Sequence, residues 1–130
     1  MSRATTEVRR VESRKWTERL HSLSRQRKPE IFMELYDHFA PRVASYLQRL
    51  GADAATIEEL TQETMLSVWR KAALFKPDRA AASTWIFTIA RNQFIDTVRR
   101  QGPVLESVDD IDEPGGTVSD SDYQADAVPL

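Results

Sequence analysis

The sequence predicts an all-α protein, a compact domain of three to four helices. Apolar residues recur at steps of three and four positions in several segments, which is the period of an amphipathic helix. No segment alternates apolar and polar residues in the manner of a half-buried strand. With 130 residues and 41% hydrophobic content, the chain allows one soluble domain with a modest core.

The N-terminal segment, residues 1–28, is strongly basic, with nine Lys/Arg and three Asp/Glu. Its beginning is polar and aperiodic, which predicts a disordered arm. Trp16, Leu20 and Leu23 then follow at spacings of four and three, so we expect a weak amphipathic helix from Arg14 to Arg25. The segment as a whole is therefore predicted to be a basic, partly helical arm.

A stronger helix is predicted after Pro29, which suits a first helical turn. Its apolar stripe consists of Ile31, Phe32, Leu35, Tyr36 and Phe39. Pro41 fixes φ and lacks an N–H, so we expect a break or kink there. A second helical piece then continues to Leu50, and Gly51 is a favourable C-terminal stop.

Two further helices complete the predicted domain, residues 29–102. The third begins near Asp53 or Thr56, where Thr56-x-x-Glu59 fits a capping box, and extends to about Phe75. After a loop that begins at Pro77, Ser83 is the predicted N-cap of a fourth helix that runs to about Arg100. Gly102-Pro103 ends it. Residues 103–130 hold eight acids and no base, and predict a disordered acidic linker.

The third helix carries an acidic stripe on its predicted outer face. A step of 100° per residue places Glu59, Gln62, Glu63 and Leu66 together, opposite the apolar side. A leucine among exposed acids indicates a surface that a partner covers, and carboxylates suit arginines on that partner. The acids alone would also be typical of a solvated helix face near an N-terminus, where the helix dipole favours them.

A second candidate surface comprises the loop that starts at Phe75 and the fourth helix. The loop combines an aromatic residue with cations and small residues. Such a loop can hold an unstacked base, with the aromatic residue against the base and the cations at the phosphates. The helix carries a polar stripe of Arg and Asn suited to phosphates and base edges, although its aromatic residues are also typical of core. The predicted nucleic-acid-binding residues are Phe75, Lys76, Arg79, Ser83, Trp85, Thr88, Arg91, Asn92, Arg99 and Arg100. The polar stripe of the fourth helix consists of Thr88, Arg91, Asn92, Ile95 and Arg99.

Several function classes are disfavoured. The chain has no cysteine, and His21 and His38 lack ligand spacing, so we expect no metal site and no cofactor. No catalytic motif is recognisable, so we do not expect an enzyme. No apolar run approaches the roughly 18 residues that span a bilayer, and no signal peptide is visible. We therefore expect a cytoplasmic protein without a membrane partner.

The chain resembles region 2 of bacterial extracytoplasmic-function (ECF) sigma factors from about residue 31 to residue 101. The first family motif reads roughly A-E-D-L-x-Q-E-x-F, and here Ile57-Glu58-Glu59-Leu60 precedes Gln62-Glu63, with Met65 in place of Phe. The second reads S-W-L-Y-x-I-A-R-N followed by D-x-x-R-R. This chain has Trp85-Ile86-Phe87-Thr88-Ile89-Ala90-Arg91-Asn92, then Asp96 and Arg99-Arg100.

The resemblance implies a domain that binds core RNA polymerase and recognises and melts the promoter −10 element. In the family, the face matching the acidic stripe docks on the β′ clamp helices. The loop matching residues 75–83 receives a flipped base of the non-template strand. An anti-sigma factor is a further implied partner, and short segments such as His38-Phe39-Ala40-Pro41 are most similar to an oxidative-stress subgroup whose anti-sigma factors bind zinc.

The sequence also allows other functions. The chain could be a helical interaction module, or an anti-sigma-binding relative, without DNA contact. A helix-turn-helix reader of duplex DNA is disfavoured because the last helix is too apolar to lie open in a groove. Region 4, the −35-binding domain of the family, is absent from these 130 residues. A fragment and a naturally shorter relative fit this observation equally well.

Overall fold

The computed structural model describes residues 3–101, and this range forms four α-helices and one short 3₁₀ turn. The helices are α1 (Arg3–Arg25), α2 (Pro29–Arg49), α3 (Ala54–Lys71) and α4 (Ala82–Gln101), and the 3₁₀ turn is Ala72–Leu74. No strand occurs within this range, so the all-α prediction is confirmed. The expectation of a disordered acidic linker concerns residues 103–130, which lie outside the described residues.

Helix α1 begins at Arg3, well before the Arg14 start that the sequence indicates. Its first half contains neither glycine nor proline, so extending the helix costs little. The second half packs on the other helices: Leu20 and Leu23 are fully buried within the common core. The basic N-terminal segment therefore contributes directly to the domain interior, while residues 6–15 are exposed.

Helix α2 continues through Pro41, where the sequence predicts a break or kink. Proline removes the hydrogen bond to the carbonyl four residues earlier, here that of Asp37. Both Pro41 and Asp37 are exposed, so water can satisfy this carbonyl. Phe39 and Val43 on either side are buried, and their packing holds the helix together across the proline.

The end of α2 follows the glycine-stop prediction. Gly51 has φ +100°, in the left-handed region that a residue without Cβ occupies readily. Its N–H bonds the carbonyl of Gln48 at 3.0 Å, and the N–H of Ala52 bonds that of Leu47 at 3.1 Å. This pair of bonds is the Schellman pattern. Gly51 therefore turns the chain sharply from α2 toward α3.

The start of α3 resolves the choice between two predicted caps. Asp53 is the N-cap, and its carboxylate accepts a hydrogen bond from the backbone N–H of Thr56 at 2.8 Å. The predicted capping box at Thr56 is therefore wrong, because Thr56 already lies inside the helix. The α-helix ends at Lys71 and the 3₁₀ turn completes the path to Phe75.

Helix α4 begins at Ala82, and its cap comes from another helix. The predicted N-cap, Ser83, lies within the helix. The backbone N–H of Ala82 instead donates to Thr17 Oγ1 of α1 at 3.0 Å. Buried residues of all four helices then form one core around Leu35, Met65 and Ile86.

Candidate functional site

The acidic stripe of α3 is exposed along its whole length. Glu59, Gln62, Glu63 and Leu66 are all exposed, and the opposite side of the helix is buried through Leu60, Thr61, Thr64, Met65 and Val68, followed by Ala72 of the 3₁₀ turn. Leu66 retains 41% of its surface, and among the residues whose burial the structure describes it is one of four large hydrophobic side chains left exposed. The two faces of α3 are therefore divided as the helical period predicts.

The acidic stripe adjoins the C-terminal end of α4. Arg100 forms an exposed ion pair with Asp96 one turn earlier, at 2.5 Å. The pKa of Arg100 is raised chiefly by this hydrogen bond and by the charge of Asp96, with a smaller contribution from Glu59. The carboxylate of Glu59 is thus within electrostatic reach of a cation on the neighbouring helix.

The loop between α3 and α4 has an aromatic base and a cationic turn. Phe75 and Trp85, both predicted to contact nucleic acid, are buried and pack against each other with ring centroids 5.3 Å apart. Lys76 and Arg79 are exposed, and the N–H of Arg79 bonds the carbonyl of Lys76 at 2.9 Å to close the turn. Ser83 is half-buried at the start of α4.

The predicted polar stripe on α4 is largely interior. Thr88, Arg91 and Ile95 are buried, so the expectation that they lie on an open face is wrong. Asn92 is half-buried, and Arg99 is exposed. The reason is that α4 packs against three helices at once, which covers more of its circumference than one apolar stripe would. The exposed cations lie instead in the loop before α4, at Lys76 and Arg79, and at the C-terminal end of α4, at Arg99 and Arg100.

A polar contact between α3 and α4 was not anticipated from the sequence. Gln93 Oε1 accepts a hydrogen bond from the Thr64 hydroxyl at 3.1 Å, and Gln93 Nε2 donates to Ser67 Oγ at 3.0 Å. Thr64 and Ser67 are fully buried. Gln93 lies between the apolar residues Ala90 and Phe94 of α4, and a glutamine at such a position is the signal that could have indicated it. These bonds fix how α4 lies against the helix that carries the acidic stripe.

An aromatic pair also joins α1 to α2. Trp16 stacks on His38 with ring centroids 4.1 Å apart and an interplanar angle of 17°. Burial lowers the pKa of His38, and the charges of Arg42 and Lys15 lower it further against the opposing effect of Glu12. Among the residues that the structure describes, no cluster of three or more His, Cys, Asp or Glu could hold a metal ion.

These features match a known family. Residues 35–104, just over half of the chain, match the family described as sigma-70 region 2. The chain belongs to this family. The sigma-70 region 2 match spans the acidic stripe, the loop and α4 together, and it covers the residues on which the resemblance to ECF sigma factors rests.

Curated relatives are similar over the same part of this sigma region 2 chain. The ECF RNA polymerase sigma factor RpoE of Cereibacter sphaeroides is 45% identical over 85 residues, which are 65% of this chain and 47% of that protein. SigK of Mycobacterium tuberculosis is 40% identical over 68 residues, 52% of this chain and 36% of that protein. The chain thus spans less than half the length of these relatives, and the ECF resemblance is confirmed.

A solved structure has the same fold. The chain is similar to Rhodobacter sphaeroides SigE in its crystal structure with the anti-sigma ChrR, with a TM-score of 0.63 and 42% sequence identity. The similarity covers 86% of this chain and 65% of that one. None of the helices described in this sigma region 2 chain has the length and apolarity needed to cross a membrane.

Proposed function

We propose that this chain is the part of an ECF sigma factor that docks on core RNA polymerase and holds the promoter −10 element during strand opening. It acts by binding, not by bond chemistry, and it works in the cytoplasm. The observation that carries the proposal is the exposed acidic stripe of α3 with Leu66 at its end.

The composition of the acidic stripe fits a basic protein surface. Glu59 and Glu63 lie one helical turn apart, so both carboxylates can receive arginines from one partner helix. Leu66 adds an apolar contact that would otherwise remain in water. The β′ clamp helices of RNA polymerase are the partner that the family resemblance implies for this surface.

The strand-holding surface is smaller than the sequence predicts. Its accessible residues are Lys76, Arg79, Ser83, Asn92, Arg99 and Arg100. The exposed cations suit phosphates of the non-template strand, and the half-buried Asn92 suits a base edge. Thr88, Arg91, Phe75 and Trp85 are buried, and their role in this proposal is to support the loop and α4 from beneath.

Two further elements belong to the proposal. The solved complex of SigE with ChrR, at 42% identity, supports an anti-sigma factor as a second protein partner of this chain. The proposed domain is residues 29–102, preceded by the basic segment 1–28 and followed by the acidic linker 103–130. The burial of Leu20 and Leu23 supports extending the folded unit into α1.

Charge reversal on the acidic stripe tests polymerase docking. The double variant Glu59→Lys, Glu63→Lys should weaken binding to core polymerase by on the order of 1–3 kcal/mol, because desolvated ion pairs become repulsive contacts. Glu7→Lys with Glu18→Lys is the matched control, since it changes the net charge equally at exposed acids of α1, away from the acidic stripe. Equal binding by the double variant and the control in a quantitative pull-down would exclude this docking surface.

A second candidate function is an interaction module without DNA contact. The burial of Thr88 and Arg91 favours it, because it leaves fewer polar side chains on α4 for a nucleic acid. Fluorescence anisotropy with single-stranded and duplex oligonucleotides of varied −10-like sequence, at stated salt, separates the two functions. Polymerase binding without any sequence preference for the single strand would favour the interaction module.

A further inference from the structure

A groove between α1 and α2 opens toward the start of α4. Its volume is about 650 Å³, within the usual range of about 300–1,000 Å³ for ligand sites. Arg9 and Lys15 line it from α1, Arg42 from α2, and Ser83 and Phe87 from α4. Ser83 lies in the first turn of α4, directly after the loop, and it also belongs to the proposed strand-holding surface, so the groove adjoins that surface.

The floor of the groove is aromatic and held in place. Trp16 stacks on His38, meets the edge of Phe39 at 5.9 Å, and donates its indole N–H to the Glu12 carboxylate at 3.0 Å. Phe87, half-buried, packs on Phe39 at 6.4 Å. His38 covers one face of Trp16 and Phe39 is buried, so the floor offers planar groups the accessible parts of the half-buried Trp16 and Phe87 rings.

The rim of the groove is cationic. Arg9, Lys15 and Arg42 are exposed around it, and Glu12 is the single acid among the described residues that line it. Glu12 is engaged with the indole of Trp16. The ammonium of Lys15 lies 4.9 Å from the Trp16 ring centroid, and the Arg42 guanidinium donates to the carbonyl of His38 at 2.7 Å. The groove therefore suits a ligand that combines negative charge with planar rings.

We infer that this groove binds single-stranded nucleic acid, taking the nucleotides next to those held by the loop between α3 and α4. Phosphates lie at Arg9 and Arg42, and bases lie against the aromatic floor. This inference rests on the proposed function, since it extends the path of the same strand. It assigns α1 a direct role in nucleic-acid binding in addition to its contribution to the core.

Oligonucleotides of two lengths test the inference on the full chain at low salt. A short one carries only the −10-like sequence, and longer ones add a few thymidines on the 5′ or the 3′ side. The addition on one side should raise affinity about tenfold, as stacking and phosphate contacts of added nucleotides do. Arg9→Glu with Arg42→Glu should abolish this gain while the short oligonucleotide binds as before.

The matched control is Arg10→Glu with Arg49→Glu, which changes the net charge equally at exposed positions outside the groove. The control should keep the gain, and circular dichroism should show unchanged helix content in both variants. The inference is overturned if neither extension adds affinity, if the groove variant keeps the gain, or if the control loses it equally. A wild-type chain that keeps the gain but does not distinguish −10-like from scrambled sequence would refute promoter recognition and retain the groove.

Discussion

Thr17 accepts a hydrogen bond from the backbone N–H of Ala82 at 3.0 Å, so that α1 caps α4 across 65 positions of the sequence. The first N–H groups of a helix have no partner within the helix itself. Here the partner comes from a helix that also packs its own leucines into the core. The start of α4, and with it the end of the loop, depends on the position of α1.

Removal of the Thr17 hydroxyl should therefore destabilise the domain. We expect Thr17→Ala to lower the free energy of unfolding by about 1 kcal/mol, the usual effect of losing a helix cap. Thr17→Ser keeps the oxygen and should recover most of the loss. Urea unfolding followed by circular dichroism measures both variants. An equal loss in the serine variant would assign the effect to the methyl group instead of the hydrogen bond.

Truncation of a core leucine in α1 tests where the folded unit begins. Leu20 is fully buried, so Leu20→Ala should reduce the free energy of unfolding by about 3 kcal/mol through lost burial and a residual cavity. Val11→Ala is the control on the same helix, because Val11 is 56% exposed and should change stability by less than about 0.5 kcal/mol. If both variants unfold alike, α1 does not belong to the cooperative unit.

The polar contact between α3 and α4 gives a further prediction. Gln93→Ala should cost about 2 kcal/mol, because it leaves the buried hydroxyls of Thr64 and Ser67 without their partner. Addition of Ser67→Ala to that variant should cost less than it does in the wild type. Additive losses in this double-mutant cycle, measured by thermal or urea unfolding, would contradict a direct Gln93–Ser67 interaction.

Acidification should destabilise the domain through His38. The pKa of His38 is lowered, first by burial and then by Arg42 and Lys15, against Glu12. The unfolded state therefore binds more protons, so stability is complete above the ordinary pKa of 6.5 and falls as pH decreases from there toward the folded value. His38→Phe can stack on Trp16 but cannot titrate. Its unfolding midpoint should fall less below pH 6.5 than that of the wild type, and parallel curves would exclude His38 as the cause.

Variants of Asn92, which is half-buried, and of Arg99, which is exposed, can distinguish recognition of bases from contact with phosphates. Asn92→Ala should change the sequence preference for −10-like single strands. Arg99→Ala should weaken binding to all sequences alike and reduce the salt slope by about one. Arg49→Ala, an exposed cation on α2, is the control and should alter neither. Anisotropy titrations at several salt concentrations measure all three. A uniform loss in Asn92→Ala would remove it from base recognition.

The sequence was sufficient for two patterns that a single helix determines by itself. The division of α3 into a buried side and the acidic stripe follows from the period of one helix, and so does the Gly51 stop. Some helix ends were misplaced by the local signals, as at the start of α3, and the contacts that the sequence did not predict join residues distant along the chain. Thr17 at Ala82 and Trp16 on His38 depend on how helices meet, which local periodicity does not contain.

The prediction that the polar stripe of α4 is exposed was wrong for the same reason. A helical wheel treats a helix as having one buried side, but α4 contacts three neighbours, and Thr88 and Arg91 turn inward. Pro41 shows the reverse case, in which a local preference for a break is overridden by packing of Phe39 and Val43. In both cases tertiary burial outweighs the signal of the individual residue.

Glu59 contributes, after Asp96, to the electrostatic environment of Arg100, so we expect cation binding at Glu59 and phosphate binding at Arg100 to influence each other weakly. When a bound cation neutralises Glu59, the positive charge of Arg100 is compensated by less negative charge within the protein. A phosphate outside the protein then binds more favourably at Arg100. The linkage is reciprocal, so a phosphate at Arg100 leaves Glu59 more attractive to an incoming arginine. Two ligands that never touch each other would thus bind cooperatively, and increasing ionic strength would weaken their cooperativity.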